Sequence, residues 1–379
     1  MKIFLTRITL FFTPIVLISV PSFFYLKGLG ELVPLSSAVQ ENQEKGHLIG
    51  YAYSDPGYLI KHQALKIRAP EVIALGTSRA LQFRSLYFKD PESFYNCGRS
   101  VSKIRDFRSF LEAYPTSPPK IIILCLDQDF FNHNYDDLFL KGRIFSVTDP
   151  SKSARYSKSF KGLFKAARKG DFEFRNIEES SGIGGTSKWF KEGFRKDGSY
   201  QYGKILSEKA DYKFGMSLDR IVQNKGRFVS SDRINSAAVE ELEAFLEDCK
   251  LRDIHVVGFL PPYAPTVFSE FKKVPKLYSH ILELQSVIEP VFAARGLSVF
   301  DFGEIESYGS NDFETIDGFH ASEVCYLRMM KLMGAGDEML AAYLDQKELN
   351  LLFENSHSSR QFFPIIKEES IRPVSSDLR

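Results

Sequence analysis

Cysteine is scarce and scattered in this chain: Cys97, Cys125, Cys249 and Cys325 form no C-x-x-C pair. That spacing excludes zinc ribbons and redox dithiols. An excess of charge of one sign is also missing. Lys and Arg number 49 against 48 Asp and Glu, a formal net charge of +1. Binding to nucleic-acid phosphates shows as a strongly basic domain, so nucleic acid is not an expected partner. There is no internal repeat, and a single apolar run is long enough to cross a bilayer. What remains is a 379-residue chain, 44% hydrophobic and 14% aromatic. It can bury a full core, as one large domain with an insertion or as two domains.

The long apolar run lies at the amino end. Ile8 to Leu26 carries no charge, with Lys2 and Arg7 before it and Lys27 after it. This is about the length of a transmembrane helix, in which Pro14 and Pro21 are tolerable. A cleavable signal peptide has a shorter apolar region and a small-x-small site, whereas Val20-Pro21-Ser22 leads into Phe23-Phe24-Tyr25. The expectation is therefore an uncleaved anchor. Positive charge ahead of the span keeps residues 1–27 cytoplasmic and in the membrane, and exports the rest.

Residues 28–53 read as a tether, because Ser36 to Gly46 is polar without a trustworthy period. A domain is expected over 54–347. It opens with Asp55-Pro56 as a helix start and an apolar stripe of Tyr58, Leu59, His62 and Leu65, ended by Pro70. Short apolar runs then alternate with helical patterns, as in βαβ units that build a parallel sheet. The expected strands are 71–75, 93–96, 120–126, 254–260 and 297–302. Ile121 to Leu126 has no polar alternation and should be central. If so, Cys97 and Cys125 flank the first strand about 10 Å apart. A disulfide spans at most about 7 Å, so none is expected there. A basic insertion is expected over 140–232. Within it, residues 151–205 hold 13 Lys/Arg against 6 Asp/Glu, with Trp189 among several aromatics. This is either a solvated helical face or a cationic, aromatic shelf for an acidic or carbohydrate substrate. Residues 348–379 read as a polar tail with Phe362-Phe363-Pro364-Ile365-Ile366 as a docking strip.

The chemistry-bearing residues fall at two strand ends. Gly76-Thr77-Ser78-Arg79-Ala80 directly follows Val72-Ile73-Ala74-Leu75. A serine there sits where open α/β sheets bind ligands. Serine needs a base and a group that orients the base. Asp317-Gly318-Phe319-His320 supplies both: His320 as base, Asp317 as orienter, Gly318 allowing a tight turn between them. The nucleophile elbow of α/β-hydrolases does not fit, since a single strand precedes Ser78, and Asp317 and His320 share one loop.

These blocks resemble the SGNH, or GDSL-type, hydrolase superfamily from about residue 71 to 325. Gly76-Thr77-Ser78-Arg79 corresponds to block I, with Thr77 where the family usually has Asp. Gly98, in Tyr95-Asn96-Cys97-Gly98-Arg99-Ser100, corresponds to the block II glycine, and Asp317 with His320 to block V. Block III departs: Leu126-Asp127-Gln128-Asp129 replaces G-x-N-D, leaving Gln128 as stand-in for the oxyanion-binding Asn. The resemblance implies a three-layer α/β/α sandwich with a parallel sheet of about five strands. It also implies an oxyanion hole from the Ser78 and Gly98 amides. The GTSR form with an amino-terminal anchor resembles bacterial envelope proteins that move or remove acyl groups on exopolysaccharides.

The reading that follows is an O-acyltransferase of a cell-envelope polysaccharide, anchored in the bacterial inner membrane and facing the periplasm. It would use a Ser-His-Asp acyl-enzyme without metal or organic cofactor, and a membrane partner would deliver acyl groups. The alternatives are an esterase with the same triad and a non-catalytic envelope scaffold. Arg79 is expected to contact a substrate carboxylate or to pair with a local acid. Tyr263, in Pro261-Pro262-Tyr263, is expected as a substrate wall or as part of a rigid turn. His133 reads as a satisfied loop histidine or as lining the site, and Asp197-Gly198-Ser199 as a turn.

Overall fold

The computed structural model describes residues 1–54, 56–135, 152–175, 182–203, 213–356 and 358–363. The expected helix cap at Asp55 and most of the expected docking strip lie outside them. Two compact units are present. The first draws on Met1–Pro56, Thr148–Lys196 and Gln201–Lys204; the second on Gly57–Val147, Asp197–Tyr200 and Ile205–Arg379.

The second unit is an α/β structure around five strands: β1 (Val72–Gly76), β2 (Phe94–Gly98), β3 (Ile121–Cys125), β4 (His255–Leu260) and β5 (Ser298–Asp301). All pair in parallel, in the order β2-β1-β3-β4-β5. Each lies within two residues of an expected run. Every residue of β1, β2 and β3 is buried, so these strands carry apolar side chains on both faces. Val72, Ala74, Ile121, Ile123, Val257 and Phe259 share one core with Val324, Leu327 and Met330 of the Glu323–Gly336 helix. On β4, a side chain at Gly258 would run into Phe292 of the Leu284–Ala293 helix at 2.6 Å. Strand order turns back at β1, whose neighbours β2 and β3 lie on opposite sides. The carboxyl ends of β1 and β3 therefore form a topological switch point.

Local chemistry sets the helix ends. The Gly57–Arg68 helix stops as Ala69 takes a φ of 45 ahead of Pro70. Asn235 caps the Ser236–Lys250 helix by accepting from the Ala237 N–H at 3.2 Å. All four cysteines are buried and unpaired, including Cys97 and Cys125.

The first unit holds the Lys2–Leu29 helix, long and apolar enough over Leu10–Leu29 to cross a membrane, with a mean hydropathy of 1.6. Residues 28–53 differ from the tether read in the sequence. Leu35–Lys45 is a helix whose Leu35, Ala38 and Val39 are buried. Glu31 is fully buried and accepts from the Ala52 N–H at 2.6 Å and the Gly185 N–H at 2.9 Å. Gly185 lies more than a hundred residues from Glu31, a partner that no local period can reveal. Part of the basic stretch is helical too, over Lys152–Lys169 and Gly185–Phe190.

Candidate active site

The chain leaves β1 through Gly76, where a side chain would collide with Cβ of Cys125 on β3. Thr77 then caps the short turn Ser78–Ala80: its hydroxyl accepts from the Arg79 N–H at 3.1 Å and donates to Asp127 Oδ2 at 2.6 Å. Thr77 thus binds the end of β1 to the end of β3, and Ser78 is left partly exposed beside it.

Ser78 Oγ lies 2.9 Å from His320 Nε2, and His320 Nδ1 lies 3.0 Å from Asp317 Oδ2. A neutral imidazole protonated on Nδ1 donates to the carboxylate and leaves Nε2 to accept from the serine hydroxyl. Asp317 Oδ1 also accepts from the N–H groups of Phe319 and His320, at 2.8 and 2.6 Å. Burial opposes charge on Asp317, but His320 and these backbone donors outweigh it and hold the carboxyl down to about 2. The loop is tight, with the Ile316 N–H donating to His320 O at 2.8 Å. Gly318 is required there for space: a Cβ would meet Val267 at 2.6 Å and Ser217 at 2.8 Å.

The structure brings Ser78, His320 and Asp317 together; the remaining expected site residues are differently placed. The Gly98 N–H, expected to face an oxyanion, donates instead to Asn96 Oδ1 at 2.8 Å. Gln128 is fully buried: its Nε2 donates to Pro261 O at 2.9 Å and its Oε1 accepts from Arg79 Nη1 at 2.8 Å. It does not replace the missing Asn. Of the three expected oxyanion donors, the Ser78 N–H alone has no partner among the described residues.

Of the two readings of Arg79, the structure shows the pairing with a local acid. Arg79 is 1% exposed, pairs with Asp127 at 3.3 Å and donates to the carbonyls of Pro261 and Pro262. Its guanidinium lies 4.2 Å from the Tyr263 ring centroid and 4.3 Å from that of Phe319. The local acid holds it, so it is not placed to meet a substrate. Tyr263 is 1% exposed and serves as the other side of that stack rather than as a substrate wall. His133 is exposed on its loop. Asp197-Gly198-Ser199 is a turn, closed by the Ser199 N–H on Asp197 Oδ1 at 3.0 Å.

Sequence reasoning missed an ion pair between buried Asp129 and half-buried Arg227, which reaches the Phe319 ring. Asp129 takes a 2.7 Å ion pair from Arg227, whose guanidinium lies 5.8 Å from the Phe319 ring centroid. Burial pushes the Asp129 carboxyl up to about 6, against the pull of Arg227. Arg227 keeps 29% of its side chain exposed, one aromatic ring away from His320. No sequence motif marks it, since it sits 93 residues before His320 in an unpatterned stretch. Among the described residues no cluster of His, Cys, Asp or Glu is grouped to hold a metal.

No family model and no curated protein matches this sequence.

Proposed function

We propose that the chain is a serine O-acyltransferase that acts on a cell-envelope polysaccharide from the outer face of the inner membrane. The observation that carries this reading is the continuous contact from Ser78 Oγ through His320 to Asp317. Its position at the switch point of a parallel sheet, and the resemblance of blocks I, II and V to SGNH hydrolases, support it.

In this reading Ser78 Oγ attacks the acyl carbonyl of a donor ester while its proton passes to His320 Nε2. The bond to the leaving oxygen breaks, and that oxygen takes the proton, leaving an acyl-Ser78 intermediate. A sugar hydroxyl then attacks the acyl carbon, gives its proton to His320, and the Ser78 oxygen leaves with it. Water in place of the sugar gives hydrolysis, so an esterase uses the same residues. The membrane-length Lys2–Leu29 helix supports anchoring; in this reading a membrane partner delivers the acyl donor.

A non-catalytic envelope scaffold is the second reading, favoured by the committed Gly98 amide and Gln128 side chain. Each preorganised oxyanion donor is worth about a hundred to a thousandfold in rate. Acetyl release from 4-nitrophenyl acetate by full-length protein in detergent separates the two readings. Turnover by wild type that Ser78→Ala and His320→Ala abolish supports catalysis, and acetylated oligosaccharide among the products supports transfer. Equal inertness of all three proteins would leave the scaffold reading.

A further inference from the structure

The Lys152–Lys169 helix carries seven Lys and Arg residues and no acid. Lys158, Lys161, Lys165 and Arg168 are exposed and recur at spacings of three and four, so they form one stripe. Phe164, 47% exposed, lies within it. The opposite face is buried, and its Leu163 packs with Leu26 and Leu32 at the outer end of the Lys2–Leu29 helix. Aromatic contacts fix the same junction: Phe23 meets Tyr156 at 6.3 Å, and Tyr25 meets Phe172 at 5.9 Å and Phe174 at 5.3 Å. Cations and amphipathic rings thus gather where a spanning helix would leave the hydrocarbon, the level of the phospholipid headgroups.

A cavity of about 490 Å³ opens at this junction, lined by Tyr53, Lys165, Lys169, Trp189 and Phe190, with Asp171 as an acid on its wall. Glu173 and Arg175 also line it but pair with each other, and Arg175 lies 4.7 Å from the Phe190 ring centroid. The buried indole N–H of Trp189 has no acceptor among the described residues. Two lysines and aromatic walls suit a phosphate joined to an apolar body.

We propose that this cavity binds an anionic phospholipid of the bilayer that holds the Lys2–Leu29 helix, with the headgroup phosphate at Lys165 and Lys169. The proposal rests on the membrane reading of that helix and is independent of the acyl-transfer chemistry. A lipid is favoured over an acidic glycan because the elements that form the cavity also clasp the end of the span. Each basic residue near an anionic membrane surface contributes attraction of its own, so the stripe draws the same lipids toward the cavity.

Trp189 is the single tryptophan of the chain, so its fluorescence reports on this cavity alone. Full-length protein would be placed in nanodiscs of phosphatidylcholine with either brominated phosphatidylglycerol or brominated phosphatidylcholine at equal mole fraction. The expected result is at least twofold stronger quenching of Trp189 by the brominated anionic lipid. Lys165→Gln with Lys169→Gln should abolish that preference, and Lys165→Arg with Lys169→Arg should retain it. Equal quenching by both lipids in the wild type overturns the proposal, as does a preference that the double glutamine variant keeps. An emission shift on adding an oligouronate, with equal quenching by the two lipids, would assign the cavity to an acidic glycan instead. Protein that does not co-elute with the discs removes the anchor reading and the proposal with it, an outcome distinct from incorporation without preference.

Discussion

The Gly98 N–H donates to the side-chain oxygen of Asn96, two residues earlier on the same strand, at 2.8 Å. The Asn96 amide group in turn donates to Ala80 O at 2.8 Å and Phe83 O at 2.9 Å. One buried side chain therefore joins β2 to the segment after Ser78 and engages the amide expected in the oxyanion hole. Asn96→Ala leaves the Gly98 N–H and Phe83 O without these partners, while Ala80 O keeps the Phe83 N–H at 3.4 Å; each buried group so stranded costs about 1–3 kcal/mol before relaxation. The expected loss is about 2–5 kcal/mol, and a urea denaturation curve measures it.

Asp317→Asn should lower kcat on an activated ester by about 10³–10⁴-fold, through loss of the imidazole tautomer that accepts from Ser78. The same group gives a pH signature. Its carboxyl is held below its unfolded value, so its contribution to stability is complete above about pH 4. It is lost as pH falls through about 2. Acid unfolding followed by circular dichroism should show a smaller loss over that window in the variant. Identical acid profiles in the two proteins would contradict the assignment.

Arg79→Met isolates Asp127 in a buried site. Removing one partner of a buried ion pair costs about 3–5 kcal/mol. Because Arg79 is held by Asp127, Gln128 and two backbone carbonyls, its loss should affect substrates with and without a carboxylate alike. A selective rise in KM for carboxylate-bearing esters would restore it as a substrate contact.

Lys61 is fully buried, donating to Asn96 O at 2.9 Å and also to Gly198 O. Burial lowers its ammonium to about 7, although Cys97 and Asp197 pull it upward. A lysine depressed in the folded state adds stability present above its unfolded value near 10.4 and lost as pH falls through about 7. Unfolding free energy should therefore rise with pH across that window, with a slope from this group of up to about 1.4 kcal/mol per unit. Lys61→Met should flatten the slope, and guanidinium melts at pH 7, 8 and 9 test it.

The strands and the positions of Ser78, Asp317 and His320 were readable because each is written locally. Ile121 to Leu126 announces a doubly buried strand by composition alone, and Asp317 reaches His320 over a three-residue separation. The Gly98 amide was misread because the Asn96 side chain turns back onto its own strand, held there by the carbonyls of Ala80 and Phe83. The sequence left two readings open for Arg79 and for Tyr263 because burial depends on what closes over them, here Pro261, Pro262 and Phe319. The Leu35–Lys45 helix was missed because its buried polar residues are bound from afar: Gln43 Nε2 donates to Lys196 O at 2.8 Å. Polar residues that are satisfied by remote backbone look like surface in a sequence.

Ser78 and His320 are separated by 242 residues, and one follows the first strand of the sheet while the other follows the last. Their 2.9 Å contact therefore closes a loop that spans four of the five strands, the kind of long-range pairing that forms slowly and late. Recovery of any serine-dependent turnover during refolding would report completion of the chain's assembly, lagging behind helix signals. In the proposed chemistry, a chain ended between residues 78 and 320 would carry Ser78 without His320, and so could not attack an ester.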